Sequence, residues 1–275
     1  MKKYYLVILF ICFLTFCGCY NTSINNESNY INPEGMTISK RINLPEGFIR
    51  VDTDDYGKFI RDLPLLPDKS PVLLYDGSKK ANQTSHLAVI DIDVGEQNLQ
   101  QCADSILRVR CEYLFATKQF DKINYHLTNG FELPYTKYRD GYRLKVDGNT
   151  TSLVKTSDYN DSYDIFRKYL TTLFCYAGTL SLDAESISID KENAQIGDIF
   201  ITGGSPGHCV MIMDMCKNEQ GEKLFILGQG YMPAQQMQII KQPNTDNPWY
   251  SLDKLSYPFI TSEYIFNEEC LKRVP

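Results

Sequence analysis

Two apolar segments separated by a Gly/Ser/Pro cluster constrain the fold most. They are residues 199–202 and 209–213, and the cluster between them covers residues 203–207. Short apolar runs bounded by such turn-forming residues are typical of two strands joined by a tight connection. Alternation along the second strand puts His208 on the same face as Asp214. We therefore expect a hairpin with an imidazole at the start of its second strand.

A capped helix is predicted to begin near Asn98. Asn98 as N-cap, with Gln101 three residues later, fits a capping box. Apolar residues then recur at the 3-4-3-4 spacing of one buried helix face. They are Leu99, Cys102, Ile106, Val109 and Tyr113. Cys102 would lie in the second turn, and the pattern fits both a core cysteine and a nucleophile near the start of a helix that packs on a sheet.

The rest of the chain alternates short strand patterns with helices, without internal repeats. Strand patterns occur at residues 48–51, 72–75, 86–94, 123–128, 142–146, 223–227 and 237–240. A second apolar helix is predicted over residues 163–177, ended by Gly178, and a short helix over residues 263–271. We predict the α+β class: a single domain over residues 41–275, with a mostly antiparallel sheet packed by two main helices.

Residues 1–18 have the pattern of a secretory signal peptide. Two lysines precede an apolar run that is too short to span a bilayer. Gly18 directly before Cys19 suits lipoprotein processing, in which the cysteine becomes the acylated N-terminus. We expect an exported cell-envelope protein held on a membrane surface by a lipid on Cys19; ordinary cleavage and release is the alternative. Residues 19–40, rich in asparagine and poor in apolar residues, are expected to form a flexible tether.

Composition argues against several classes of function. The net charge is −6 and no run of lysine or arginine is present, so the basic footprint of a nucleic-acid-binding protein is missing. Six cysteines follow Cys19 at irregular spacing, which indicates neither a disulfide framework nor a zinc site. We expect no nucleic-acid partner and no cofactor.

The order of Cys102, His208 and Gln229 along the chain is that of papain-like folds: a cysteine near a helix start, a histidine opening a strand, and a polar side chain ending the next strand. In such a site the imidazole takes the thiol proton, and the helix N-terminus and the imidazolium both favour thiolate. A third group fixes the ring's tautomer. These residues predict a thiol amidase or peptidase with Cys102 as nucleophile and His208 as base.

A binding function is the alternative. Tyr135, Tyr138 and Arg139 form an aromatic and basic patch that suits a groove for a glycan or peptide, and Tyr231 lies beside Gln229. Tyrosines packed in a loop would give the same pattern. A non-catalytic envelope lipoprotein that binds a glycan, a peptide or a protein is therefore a competing hypothesis.

A metal hydrolase is a third hypothesis. Its ligands would be His86, Asp91, Asp93 and His208. This set lacks the His-x-x-x-His and Glu-x-x-His spacings that place two ligands on one helix face. No metal site is predicted.

Residues 197–200 followed by residues 207–212 resemble the Gly-Asp-strand and His-strand element of the NlpC/P60 amidase-peptidases. The resemblance implies that His208 is the base and Cys102 the candidate nucleophile. These enzymes usually carry the cysteine closer to the histidine, so an inserted region over residues 120–160 would be required.

Five short stretches resemble the lipoprotein family called domain of unknown function 4846, found in gut anaerobes. They are residues 73–77, 91–95, 100–104, 203–208 and 231–235. The resemblance covers nearly the whole chain after the signal peptide. It implies a lipoprotein with a single domain, and it leaves the chemistry to the residues.

Overall fold

The computed structural model describes residues 30–275. The predicted signal peptide, Cys19 and the tether up to residue 29 lie outside the described residues. Residues 30–40, which we assigned to the tether, belong to the folded body: Ile31 pairs with Ile42, and Ile38 is fully buried in the core. The boundary of the fold is therefore corrected toward the N-terminus, because Ile38 finds apolar partners that the sequence pattern did not reveal.

Residues 30–275 contain short strands and six α-helices. The helices are Ile38–Arg41 (α1), Asp55–Arg61 (α2), Cys102–Ala116 (α3), Tyr135–Arg139 (α4), Tyr163–Tyr176 (α5) and Thr179–Glu185 (α6). The strands are Ile49–Arg50 (β1), His86–Val89 (β2), Asn124–His126 (β3), Glu132–Pro134 (β4), Tyr142–Asp147 (β5), Thr150–Lys155 (β6), Ile187–Ser188 (β7), Ile199–Thr202 (β8), His208–Lys217 (β9), Lys223–Gln229 (β10), Gln238–Ile240 (β11), Tyr250–Ser251 (β12), Phe259–Ile260 (β13), Ile265–Phe266 (β14) and Leu271–Arg273 (β15). In this part of the chain, no helix combines the length and apolar character needed to cross a membrane.

The central sheet has nine strands. Its order is β2-β11-β10-β9-β8-β15-β7, with β1 also paired to β9 and β12 to β10. Every pairing in it is antiparallel. Three hairpins, β3-β4, β5-β6 and β13-β14, form separate two-stranded sheets. The structure confirms the α+β class and the mostly antiparallel sheet.

Strand β9 lies at the centre of this sheet. Nine of its ten residues are buried, because α3 and α2 pack on it and strands flank it on both sides. The predicted hairpin is present, with Thr202 of β8 opposite His208 of β9. Two polar residues interrupt the apolar run, His208 at its start and Asp214 further along.

Asp214 is held by two arginines. Its Oδ2 accepts a hydrogen bond from Arg50 Nε at 2.7 Å and its Oδ1 from Arg61 Nε at 2.6 Å. The backbone amide of Met215 donates to Oδ1 as well. Arg61 also donates to the carbonyls of Val51 and Met215, so this end of β9 is joined to α2 and to the chain that follows β1.

Helix α3 begins three residues later than predicted. Gln101 is its N-cap. The Asp104 carboxylate accepts a hydrogen bond from the backbone N–H of Gln101 at 3.1 Å. Asn98 is occupied elsewhere, because its side-chain oxygen accepts the backbone amide of Ala234 at 2.7 Å. Cys102 is therefore the first residue of the helix, where the field of the helix N-terminus is strongest.

Helix α5 matches the second predicted helix, but its main contacts are with α4. It also reaches α3, where Phe166 stacks on Phe115 with ring centroids 4.3 Å apart. Gly178 does not simply end this helix; it is the N-cap of α6, a helix that we did not predict.

Two other predicted elements are wrong. Residues 263–271 do not form a helix: they contain β14 and the start of β15, whose Leu271 pairs with Phe200 of the central sheet. Residues 72–75 form only isolated bridges, Leu73 with Lys79 and Leu74 with Gln235. In both stretches, the backbone conformation depends on the pairing partners and not on the local apolar pattern alone.

Candidate active site

One cleft of about 470 Å³ lies where the start of α3 meets the start of β9. Cys102 and His208 both line it, together with the turn that joins β8 to β9. Tyr231 and Tyr264 form part of its wall. A larger hollow of about 580 Å³ near Trp249 is lined by neither cysteine nor histidine. The smaller cleft therefore combines space for a ligand with groups capable of nucleophilic chemistry.

Cys102 is the N-terminal residue of helix α3 and lies next to the backbone of β9. Its side chain is 6% exposed. Burial raises the pKa of its thiol, while the backbone amides of Ala103 and Cys209 act in the opposite direction. Cys209 directly follows His208, so the thiol lies against the strand start that carries the imidazole.

Gly230 permits this approach of helix and sheet. A Cβ atom at this position would lie 2.1 Å from Ser105 Oγ and 2.9 Å from the Gln101 carbonyl oxygen. Both atoms belong to the first turn of α3 or its cap, so any side chain at Gly230 would push the helix start away from the end of β10. The glycine keeps Cys102 close to the strand end that carries Gln229.

Gln229 contacts the imidazole directly. His208 Nε2 and Gln229 Oε1 are 2.8 Å apart, and both side chains are buried. The contact exists because β9 and β10 are neighbours in the sheet, which brings the start of one beside the end of the other. Cys102 and His208 thus line the same cleft, and Gln229 contacts His208.

Glu263 orients the Gln229 amide. The Gln229 Nε2 donates to Glu263 Oε2 at 2.6 Å, and Lys80 and Asn82 donate to the same carboxylate. An ionised carboxylate only accepts hydrogen bonds, so the Gln229 NH₂ group must face Glu263 and its oxygen must face His208. The proton of the neutral imidazole is therefore on Nε2, and Nδ1 is the basic nitrogen.

Sequence reasoning missed Glu263 and Tyr264. Both lie in the tight turn of the β13-β14 hairpin, where the Tyr264 carbonyl accepts from Thr261. We had assigned this stretch to a helix. A four-residue connection between two apolar pairs was the one signal that could have indicated the hairpin.

Aromatic rings enclose the imidazole. The ring centroid of His208 lies 4.7 Å from that of Tyr231, 4.9 Å from that of Tyr264 and 6.2 Å from that of Phe266. His208 is 2% exposed, and burial lowers its pKa to about 4 although the Gln229 contact acts the other way. The imidazole is consequently neutral at pH 7.

The other predicted binding residues do not reach the cleft. Tyr135 and Tyr138 are buried against Tyr169 of α5, with ring centroids 5.3 and 5.7 Å away. Arg139 packs over the rings of Phe120 and Tyr159. Because buried core tyrosines cannot line a groove, the binding prediction is withdrawn for this patch; Tyr231 alone of the predicted binding residues lines the cleft.

The proposed metal ligands do not converge. The Asp93 carboxylate binds Arg108 at 3.0 Å and Arg167 at 2.7 Å, and His86 Nε2 faces the Ser70 carbonyl at 3.2 Å. Among residues 30–275, no three His, Cys, Asp or Glu side chains are grouped as a metal ion would need. His86, Asp91, Asp93 and His208 therefore do not form one group of ligands in this part of the chain.

Comparison with known proteins identifies a family without an assigned activity. No curated protein and no solved structure matches the chain, so the NlpC/P60 resemblance gains no support from them. A family model described as domain of unknown function (4846) matches residues 38–273, which include Cys102, His208, Gln229 and Glu263. The chain belongs to the family of domain of unknown function 4846.

Proposed function

We propose that this protein is a cysteine amidase or peptidase of the cell envelope. Cys102 is the nucleophile, His208 the general base and Gln229 the residue that orients the imidazole. The observation that carries the proposal is that Cys102 and His208 line one cleft while the Gln229 amide holds the His208 ring. This arrangement leaves Nδ1 as the nitrogen able to accept a proton.

The reaction follows from these roles. Nδ1 of His208 takes the thiol proton as Cys102 Sγ attacks the carbonyl carbon of an amide. The C–N bond then breaks, the imidazolium gives its proton to the leaving amine, and a thioester to Cys102 remains. A water molecule, deprotonated by His208, attacks the thioester; the carboxylic acid leaves and the thiol is restored.

The start of α3 supplies donors for the oxyanion. The first N–H groups of a helix have no acceptor within the helix. The Gln101 amide is taken by Asp104, whereas Cys102 and Ala103 line the cleft as the first two helical residues. We assign their N–H groups the role of stabilising negative charge on the oxygen of a carbonyl attacked by Cys102.

The resting pair is neutral. Burial raises the pKa of the Cys102 thiol and lowers that of His208, so a thiol and an imidazole are favoured over the thiolate and imidazolium expected from the sequence. Proton transfer then accompanies attack on the substrate. A general base with access to a positioned thiol contributes roughly 10²–10⁴-fold to such a step.

The envelope location rests on the sequence. The signal pattern of residues 1–18 and the Gly18-Cys19 pair support export and lipid attachment. Peptides of the peptidoglycan type are the substrates that such a location makes available. Mass spectrometry of the membrane fraction should find acylated Cys19 as the N-terminal residue; a mature protein that starts elsewhere and is not acylated contradicts this.

Thiol labelling tests the catalytic proposal. Because His208 is proposed to take the thiol proton as Cys102 attacks an electrophile, iodoacetamide at pH 6 to 7 should label Cys102 faster than buried Cys111 or exposed Cys175, as read by peptide mass spectrometry. His208→Ala should slow Cys102 to their rate. His126→Ala is the matched control, because this exposed histidine pairs with Glu185 away from the cleft. If Cys102 labels no faster than its neighbours, it is a core residue.

A non-catalytic binding cleft is the second candidate. The low exposure of Cys102 and the raised pKa of its thiol favour it. The same cleft would then hold a peptide or glycan between Tyr231 and Tyr264. Slow labelling of Cys102, combined with peptide or glycan binding that survives Cys102→Ala, would select this function.

A further inference from the structure

Asp104 lines the cleft and carries one buried carboxylate oxygen that has no hydrogen-bond partner among the described residues. It is the third residue of α3, it is 6% exposed, and it lines the cleft together with Cys102. Its Oδ2 accepts the Gln101 amide, which turns the carboxylate back toward the helix start. Within residues 30–275 its Oδ1 has no hydrogen-bond partner. A buried carboxylate oxygen without a hydrogen-bond partner lowers the stability of the folded protein, because its lost hydration is not replaced.

The cleft offers this oxygen no cation of its own. No lysine or arginine is among the described residues that line the cleft, and Asp104 is the only aspartate or glutamate among them. Lys80, which lies over the ring of Tyr231, forms a salt bridge with Glu263, the residue that also accepts a hydrogen bond from the Gln229 side-chain amide. Burial raises the pKa of Asp104 to about 8, and a neighbouring positive charge would restore its ionised form.

We infer that Asp104 Oδ1 binds an ammonium group of the substrate, so that the enzyme acts on peptides with a free amino group close to the scissile amide. This inference rests on the proposed function. Residues two apart on a helix have Cα atoms roughly 5–6 Å apart, by helix geometry. An ammonium held by Asp104 would therefore lie within about two residues of a carbonyl attacked by Cys102.

Binding of matched peptides tests the inference without requiring thiol chemistry. Alanyl-alaninamide and its N-acetylated form are titrated by calorimetry at pH 7.5 into the whole mature protein carrying Cys102→Ser. The free amine should bind at least about tenfold more tightly, as expected for a hydrogen bond to a charged group. Asp104→Asn, added to this protein, should remove the preference and keep an acceptor for the Gln101 amide.

Glu96→Gln is the matched control. Glu96 lines a neighbouring hollow of about 230 Å³ that shares Leu99 and Phe174 with the cleft. Its removal should leave the tenfold preference intact. Equal affinity for the two peptides, no measurable binding of the free amine, or a preference that survives Asp104→Asn would each overturn the inference. Should Asp104→Asn unfold, Asp104→Ser gives the same comparison.

The two proposals fail in different ways. Rapid labelling of Cys102 together with equal affinity for the two peptides overturns the ammonium site and leaves the catalytic function. Slow labelling together with a preference that depends on Asp104 overturns catalysis and leaves a binding cleft for cationic peptides.

Discussion

Strand β9 carries a buried ionisable residue near each end, and the two have opposite surroundings. Asp214 meets two arginines, one on each carboxylate oxygen, and is fully buried. His208 is almost as buried, but its one observed hydrogen bond, on Nε2, goes to a neutral amide. Within residues 30–275, no partner is seen for its Nδ1.

The difference separates a structural ion-pair site from the proposed catalytic site. Both carboxylate oxygens of Asp214 accept hydrogen bonds from protein donors, and the residue is fully buried, so it is not exposed to a ligand. His208 has one nitrogen fixed and the other available at a cleft that also contains a thiol. Similar burial thus accompanies a fully paired carboxylate near one end of the strand and, at the other, an imidazole with one nitrogen unpaired among the described residues.

The largest expected effect is on stability at the Asp214 end. Asp214→Ala should lower the free energy of unfolding by about 3–5 kcal/mol, because it leaves two partly buried arginines without their partner. Urea unfolding measures this. Asp55→Ala, which breaks an exposed pair with Lys58, is the control and should cost far less. Equal losses in the two variants would mean that the buried ion pairs of Asp214 contribute no more to stability than an exposed pair does.

The next effect is the pH dependence of stability at the His208 end. The pKa of His208 is about 4 in the folded protein and near 6.5 when unfolded, so the unfolded chain binds more protons between these values. Stability from this residue is complete above pH 6.5 and falls as pH drops toward 4, by up to about 3 kcal/mol. Relative to wild type, His208→Ala should show a flatter decline in urea unfolding over this window. Parallel curves would mean that the pKa of His208 in the folded protein is close to its value in the unfolded chain.

The orienting role of Gln229 should appear as a smaller effect on reactivity. Gln229→Ala should reduce iodoacetamide labelling of Cys102 by about tenfold, less than loss of the base itself, because the imidazole remains but its tautomer is no longer fixed. Gln238→Ala is the matched control: Gln238 pairs with Gln229 across the sheet and also contacts Glu263, at 3.4 Å. Equal slowing in both variants would mean that disturbance of the pairing between β10 and β11, and not loss of imidazole orientation, reduces the labelling of Cys102.

The smallest effect is expected at Tyr231. Tyr231→Phe keeps the ring beside His208 and loses only a 3.4 Å contact from the hydroxyl to the Glu263 carbonyl. Its stability should change by about 0.5 kcal/mol or less, and labelling of Cys102 should stay within about twofold of wild type. A tenfold loss of labelling would give the hydroxyl a direct role at the cleft.

The local patterns predicted much of the scaffold. The hairpin at residues 199–217, the helix that follows Gln101 and the apolar strand before Gln229 are all readable from apolar spacing and turn residues, because each depends on neighbours within a few positions. The α+β class follows from these elements. The order of Cys102, His208 and Gln229 along the chain was visible for the same reason.

Only the tertiary structure decided which side chains meet. Tyr135 and Tyr138 looked like a binding patch, yet contacts with α5 bury them. Glu263 reaches Gln229 from a hairpin that the sequence suggested was helical, and Asp104 moved the start of α3 to Cys102. These outcomes depend on contacts between residues far apart in the chain or on competition between alternative caps. Local periodicity carries no information about either, so the sequence determined the elements and tertiary packing determined the site.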